Sequence, residues 1–274
     1  MKKSLFAAAF VGVSIAAMAA EAGVIVMPPP GAARIANADA VLVGKVTSIE
    51  PEDVMVGTTK YRIAVVQIDD AIKGTKEGVK SMRVGFIPIE KPKPNVIITG
   101  GRPVQLQVGQ AGLFVLKKNA KDTFFEIGGI VGYYVNSDKN DDFAKELAAA
   151  KSAAKASANP QASLKSKDAD ERLAAAGMLI EKYRAFRGPK AGQEAIDAEE
   201  SKLIMKALGD ADWKTQVNFA SLRPNAGQLF QRLGITKADG FTPPAGANYQ
   251  DSAKAWVRDN AEKFRIQRYV VDGK

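Results

Sequence analysis

Few residues in this chain can carry covalent or acid–base chemistry. Histidine and cysteine both stand at 0 in 274 residues. Ser-His-Asp and Cys-His nucleophile systems are therefore excluded, and so are zinc sites built on Cys and His. General acid–base work falls to Asp, Glu, Lys or Tyr. Ser152 and Lys155 form a Ser-x-x-Lys match, the spacing used by penicillin-binding enzymes. They stand in an Ala/Lys stretch without the partner motifs. Asp69-Asp70 and Glu199-Glu200 are adjacent carboxylates. Neighbours on a strand or helix point to different faces, so neither pair forms a dyad by itself. A hydrolase whose Asp and Glu meet from distant positions in an inter-domain cleft stays open. Asp138, Asp141 and Asp142 cluster without EF-hand spacing and read as a helix start. Gly100-Gly101 and Gly128-Gly129 lie between strands and read as turns. No cofactor and no metal site is expected.

Binding residues are easier to nominate than catalytic ones. Lys117-Lys118 and Tyr133-Tyr134 can supply one face of a β domain. Trp213 and Trp256, with Tyr249, are the large aromatics of the helical part. Such rings anchor partners, but they also bury much area, and core packing is their expected role.

The elements that must position these residues change character once along the chain. Apolar runs over 38–49, 61–72, 81–89, 104–108, 113–116, 123–127 and 131–135 alternate or are β-branched. Gly, Pro and Asn separate them, so the runs read as strands and the gaps as turns. Several short strands without helices between them point to a sandwich or barrel. Val41-Leu42-Val43 is apolar on both faces, which requires a second layer outside the strand.

Three phrases follow in order: Ala38 to Val46, ADAVLVGKV; Ile68 to Gly74, IDDAIKG; and Val108 to Leu116, VGQAGLFVL. Together, roughly over 36–136, they resemble the netrin-like OB-type barrel. That fold is shared by tissue inhibitors of metalloproteinases and many bacterial exported proteins. The resemblance implies a small closed β-barrel, and protease inhibition is one function it offers. The inhibitors chelate protease zinc through an amino-terminal cysteine, which this chain lacks, so their functional residues have no counterpart here.

Beyond Asn136-Ser137-Asp138 the composition turns to Ala, Lys and Glu, strong helix formers. Asp141 or Asp142 is expected to cap the first helix. Ala148 to Ala158 has no large apolar residue and reads as an exposed helix end or linker, stopped by Asn159-Pro160. A second helix starts at Asp168 or Asp170, with Leu173, Gly177 and Ile180 on its apolar stripe, and closes at Gly188-Pro189. Further helices are predicted over 195–208, over 213–220, around Leu229 to Leu233, and over 253–266. The segment 171–213 is weakly similar to HEAT-like helical pairs. The reading is α+β in two domains: a signal peptide over 1–22, a small OB-like β-barrel over 23–136, a helix or linker over 137–168, and an α-helical bundle or short array over 169–274.

The first residues read as an export signal. Lys2-Lys3 is followed by an uncharged Ala-rich run from Leu5 to Ala20. Small-x-small exits stand at Ala17-Met18-Ala19 and Ala20-Glu21-Ala22. The run is short and Ala-rich for a spanning helix, and no later stretch is long and apolar enough to span. No membrane span is expected after cleavage, and the protein is expected to be periplasmic or secreted.

The formal net charge is +9. It is spread, with 14 basic against 10 acidic residues over 23–137 and 23 against 19 over 138–274. A nucleic-acid binder concentrates its basic residues on one face, so no specific nucleic acid is expected. An evenly basic surface instead favours anionic material. The expected function is a non-enzymatic binding or scaffolding protein of the cell envelope, with a protein or an anionic envelope polymer as partner. The export reading is checked by amino-terminal sequencing of the processed protein. It predicts a start at Ala20 or Gly23; an intact Met1 on exported protein contradicts it.

Overall fold

The computed structural model describes residues 29–89, 104–121, 123–127, 131–136, 142–185, 191–215 and 220–270. The export signal, Asp138, Asp141, Gly100-Gly101, Gly128-Gly129 and Gly188-Pro189 lie outside these residues. The protein is mixed α+β, with a seven-stranded sheet, a two-stranded ribbon and seven helices among the described residues.

The sheet comprises β1 (Ala40–Ile49), β2 (Val54–Val56), β3 (Thr59–Lys73), β4 (Ser81–Phe86), β5 (Ala111–Lys118), β6 (Phe125–Ile127) and β7 (Tyr133–Val135). Its hydrogen-bonded path runs β1-β3-β4-β6-β5-β7, and β1 also pairs with β5. The path β1-β3-β4-β6-β5 therefore returns to its first strand. All pairings are antiparallel except β4 with β6, which is parallel. Residues 104–108, expected as a strand, are irregular and end in a turn at Val108-Gly109. The side chain of Gln105 bonds the Ile87 carbonyl at 2.9 Å and the Ile89 N–H at 3.3 Å. Side-chain bonds there replace a ladder.

The doubly apolar runs are explained by two cores. Leu42, Phe114 and Leu116 turn into a cluster with Val66, Val84 and Phe86. Val41, Leu113 and Val115 turn the other way and join the helical core. Strand side chains alternate between faces, so β1 and β5 are covered on both.

The helices are α1 (Gly31–Asn37), α2 (Phe143–Ala158), α3 (Pro160–Ser163), α4 (Ala169–Arg184), α5 (Ala198–Asp210), α6 (Ala226–Leu233) and α7 (Tyr249–Asn260). A ribbon of β8 (Gly192–Ala195) and β9 (Gln267–Val270) ties the end of the chain back against the start of α5. Asp168 caps α4 by accepting from the N–H groups of Asp170 and Glu171. Asn159 caps α3, with Pro160 at its first position. Other expectations are corrected. Asp142 precedes α2 but makes no side-chain cap bond. The stretch read as an exposed end or linker is the second half of α2. Its Ala150, Ala153 and Ala156 are buried, at spacing three, against the helical core. Small side chains let α2 approach α1 and α4 closely, so burial needed no large apolar residue. Gly209 lies inside α5 rather than beyond it. No helix occupies 211–215 or 220–225, and 216–219 lie outside the described residues. The last helix ends at Asn260, and residues 261–266, expected as its tail, are turn and irregular chain leading into β9.

The apolar core does not stop where strands give way to helices. Ile35, Val41 and Leu113 share one cluster with Leu173, Ile180 and Ile204. Helix α1 and the segment 220–223 lie at this junction. Arg34 donates to the carbonyls of Val131 (3.1 Å), Ala220 (2.9 Å) and Ser221, and to the Tyr134 hydroxyl (2.8 Å). The Tyr134 hydroxyl donates in turn to Ala220 O at 2.5 Å. The buried carboxylate of Glu146 accepts from Ser221 Oγ and the Leu222 N–H, both at 2.5 Å, and from Arg223 Nε at 3.2 Å. Lys73 Nζ closes the other end of α1 by donating to Ile35 O at 2.8 Å and Ala36 O at 2.6 Å. A lysine there also faces the negative end of the helix dipole. Burial lowers its pKa.

Gly31 opens α1 against the Leu222 backbone. A Cβ at this position would meet Leu222 Cα, C and O. Backbone cannot swing aside as a side chain can, so Gly31→Ala is expected to cost about 1–3 kcal/mol through overpacking. Denaturant unfolding checks this, and an unchanged midpoint contradicts it. A second prediction concerns Glu171, which is 4% exposed. It accepts from Lys155 Nζ (2.6 Å), Ser163 Oγ (2.8 Å) and Ser166 Oγ (2.8 Å). The Lys155 hydrogen bond holds its pKa below the ordinary value, against the opposing effect of burial. A lowered folded pKa means stabilisation that is present above the unfolded carboxylate value of about 4.3. It is lost as pH falls through the folded value. The stability gap between wild type and Glu171→Gln is thus expected to be full at neutral pH and to shrink below about pH 4.3. A gap that stays constant with pH in urea titrations contradicts this.

Candidate functional site

The nominated residues do not form one face. Tyr133 and Tyr134 are neighbours on β7 and turn to opposite sides. Tyr133 packs on Phe114 at 4.7 Å between ring centres and donates to Ala111 O at 3.0 Å. Tyr134 belongs to the junction with Arg34. Burial pushes both phenols up to about 12, so neither ionises near neutral pH. Trp213 is buried and donates from Nε1 to Leu208 O at 2.8 Å. Trp256 is half-buried. Both join an edge-packed group around Phe230, which also touches Phe241 and Tyr249. These rings hold α5, α6 and α7 together. Lys117 and Lys118 are both exposed and, by strand alternation, face opposite sides.

Lys118 lines a cleft of the sheet. The cleft has a volume of about 470 Å³. One wall is the β3–β4 turn, with Thr75, Lys76 and Val79, and the other is the β5–β6 loop with Thr123 to Phe125. Met82 and Arg83 of β4 line it between them. The β5–β6 wall is fixed by three contacts. The Thr123 N–H donates to Asn119 Oδ1 at 2.9 Å, Asn119 Nδ2 donates to Thr123 Oγ1 at 3.3 Å, and Arg83 donates to Thr123 O at 3.0 Å. Arg83 also makes a two-pronged pair with Glu50, both contacts at 2.7 Å. That pair raises the Arg83 pKa and lowers that of Glu50. Phe124 is buried over Gly85 and beside Tyr61, with ring centres 5.2 Å apart. A Cβ on Gly85 would collide with that ring. The Thr75 hydroxyl oxygen is buried without a hydrogen-bond partner among the described residues.

The cleft thus combines lysines and apolar side chains in its lining. Such an arrangement accepts an anionic group beside an apolar one. Sequence reading missed Thr75, Lys76 and Arg83. Lys73-Gly74 was legible as a turn, but nothing in the local pattern places that turn opposite Lys118, 44 positions further on.

The remaining sequence candidates are engaged elsewhere. Lys155 pairs with Glu171, while Ser152 lines a separate cleft of about 350 Å³ between α2, α4 and α5. Asp70 pairs with Lys151 at 2.8 Å. Glu200 accepts from the Tyr183 hydroxyl at 2.8 Å, which together with burial raises that phenol's pKa. No group of three or more metal-ligating side chains occurs among the described residues. No helix among them is long and apolar enough to cross a membrane. Compared with known proteins, the chain matches no family model and no curated protein.

Proposed function

We propose that the chain is an exported, non-enzymatic binding protein of the cell envelope, and that it holds an anionic partner in the cleft between the β3–β4 turn and the β5–β6 loop. The observation that carries this reading is the cleft itself, whose lining combines Lys76 and Lys118 with Val79, Met82 and Phe125. The ring of pairings β1-β3-β4-β6-β5-β1, with its single parallel pair, supports reading the sheet as an OB-type barrel. OB barrels commonly bind ligands on the face of their second and third strands, here β3 and β4. Phe124 and the Arg83–Glu50 pair already cover that face. The ligand position therefore moves to the open cleft beside it.

The test is capture from an envelope fraction by the immobilised processed protein, at low and at high salt. A partner is expected to be retained by the wild type and lost by the double variant Lys76→Glu, Lys118→Glu. A control with the same net charge, Lys206→Glu with Lys237→Glu, changes exposed lysines away from the cleft and is expected to keep the partner. Equal loss in both variants attributes capture to diffuse surface charge, which salt screens, and overturns the reading.

A further inference from the structure

Resting on that reading, we infer that the cleft takes an extended acidic peptide that adds as a strand to the free edge of β4. In an antiparallel pair, opposite residues alternate between hydrogen-bonded and non-bonded. The Ile68 N–H donates to Lys80 O at 2.9 Å, and the register continues as Val66↔Met82 and Ala64↔Val84. Lys80, Met82 and Val84 therefore turn their backbone groups toward β3. Ser81, Arg83 and Gly85 turn theirs away. Strand β6 pairs with β4 only at Val84 and Gly85. Beyond that point the chain of β6 folds back to Asn119, and its Phe124 carbonyl accepts from the Asn119 N–H at 3.1 Å. Because Val84 faces β3, its parallel bridge to Phe125 is made by the Arg83 carbonyl and the Gly85 N–H. The outward N–H and C=O of Ser81 and the N–H of Arg83 meet no strand among the described residues, and both residues line the cleft.

An unpaired strand edge is a template for another strand, and adding one is a recurring mode of peptide recognition. Charge selects the occupant. Lys76, Lys80, Lys118 and Lys121 are all exposed on the segments flanking this edge. Arg83 pairs with Glu50, and over 75–80 and 118–125 the four lysines outnumber Glu77 and Asp122. The apolar lining of Met82 and Phe125 favours a peptide that alternates acidic and apolar residues over a uniformly charged polymer. Backbone bonds supply affinity, and the alternating side chains supply selectivity. The walls are held by Asn119 and Arg83 before any ligand arrives, which reduces the ordering cost of binding.

The probe is an alternating Glu-Val heptapeptide, compared with a copy N-methylated at every second residue and with long-chain polyphosphate. The readouts are affinity to the full processed chain and the backbone amide resonances of Ser81 and Arg83. The parent peptide is expected to bind and to shift both amides. N-methylation keeps the charge but removes strand bonding, and is expected to weaken binding about tenfold or more. Ser81→Pro removes one outward N–H and is expected to weaken the parent peptide similarly. The methylated peptide makes the same test without altering the protein. Equal affinity of the two peptides overturns strand addition and leaves the anionic cleft standing. Binding of polyphosphate alone also overturns strand addition and assigns the cleft to a polymer. Binding of none of the three overturns this inference together with the proposed function.

Discussion

The structure depends on how the segment 220–223 is held. This short stretch has no regular secondary structure, so its backbone groups need partners from elsewhere. Glu146 supplies an acceptor from α2, while Arg34 and Tyr134 supply donors from α1 and β7. Every one of these partners comes from a different element. Helix α1 can lie here only because Gly31 has no side chain to collide with Leu222. A buried carboxylate and a half-buried guanidinium are costly unless both are bonded. Removing one partner would therefore disturb all the elements that meet at this point. The Arg34 Nε is the exception, a buried donor without a hydrogen-bond partner among the described residues.

From that junction the rest of the layout follows. The outer face of β1 and β5 is committed to the helical core through Val41, Leu113 and Val115. Their inner face is committed to the sheet's own core through Leu42, Phe114 and Leu116. Tyrosines that look available in the sequence are used up in these contacts, as are both tryptophans. Among the described residues, the part of β4 around Ser81, where β6 does not pair, meets no further strand. Lysines flank this edge, and the nearest arginine pairs with Glu50. The binding reading is thus a consequence of which surfaces packing has left over.

Much of the sheet was legible because β1 and β5 advertise their burial by being apolar at consecutive positions. The alternating 104–108 segment misled, because alternation reports a half-buried chain without saying whether a partner strand exists. Leu106 is buried there, yet Gln105 bonds as a side chain. The inner face of α2 was not legible as core, since Ala150, Ala153 and Ala156 carry little hydrophobic signal individually. Their three-residue spacing was present, but only the neighbouring helices make it meaningful. The cleft was the least legible feature. Its walls come from Thr75–Val79 and from Thr123–Phe125, and the β3-β4-β6-β5 pairing alone brings them together.

Sheet and helices are locked through one shared core and one pinned junction. Native-state hydrogen exchange tests it most directly, by comparing the opening free energy of β1 and β5 amides with that of α4 amides as denaturant is raised. The most protected amides of all three elements are expected to converge on one global unfolding event, with the same free energy and the same denaturant dependence. Two separate limits, with the helices opening while β1 and β5 stay protected, would contradict it.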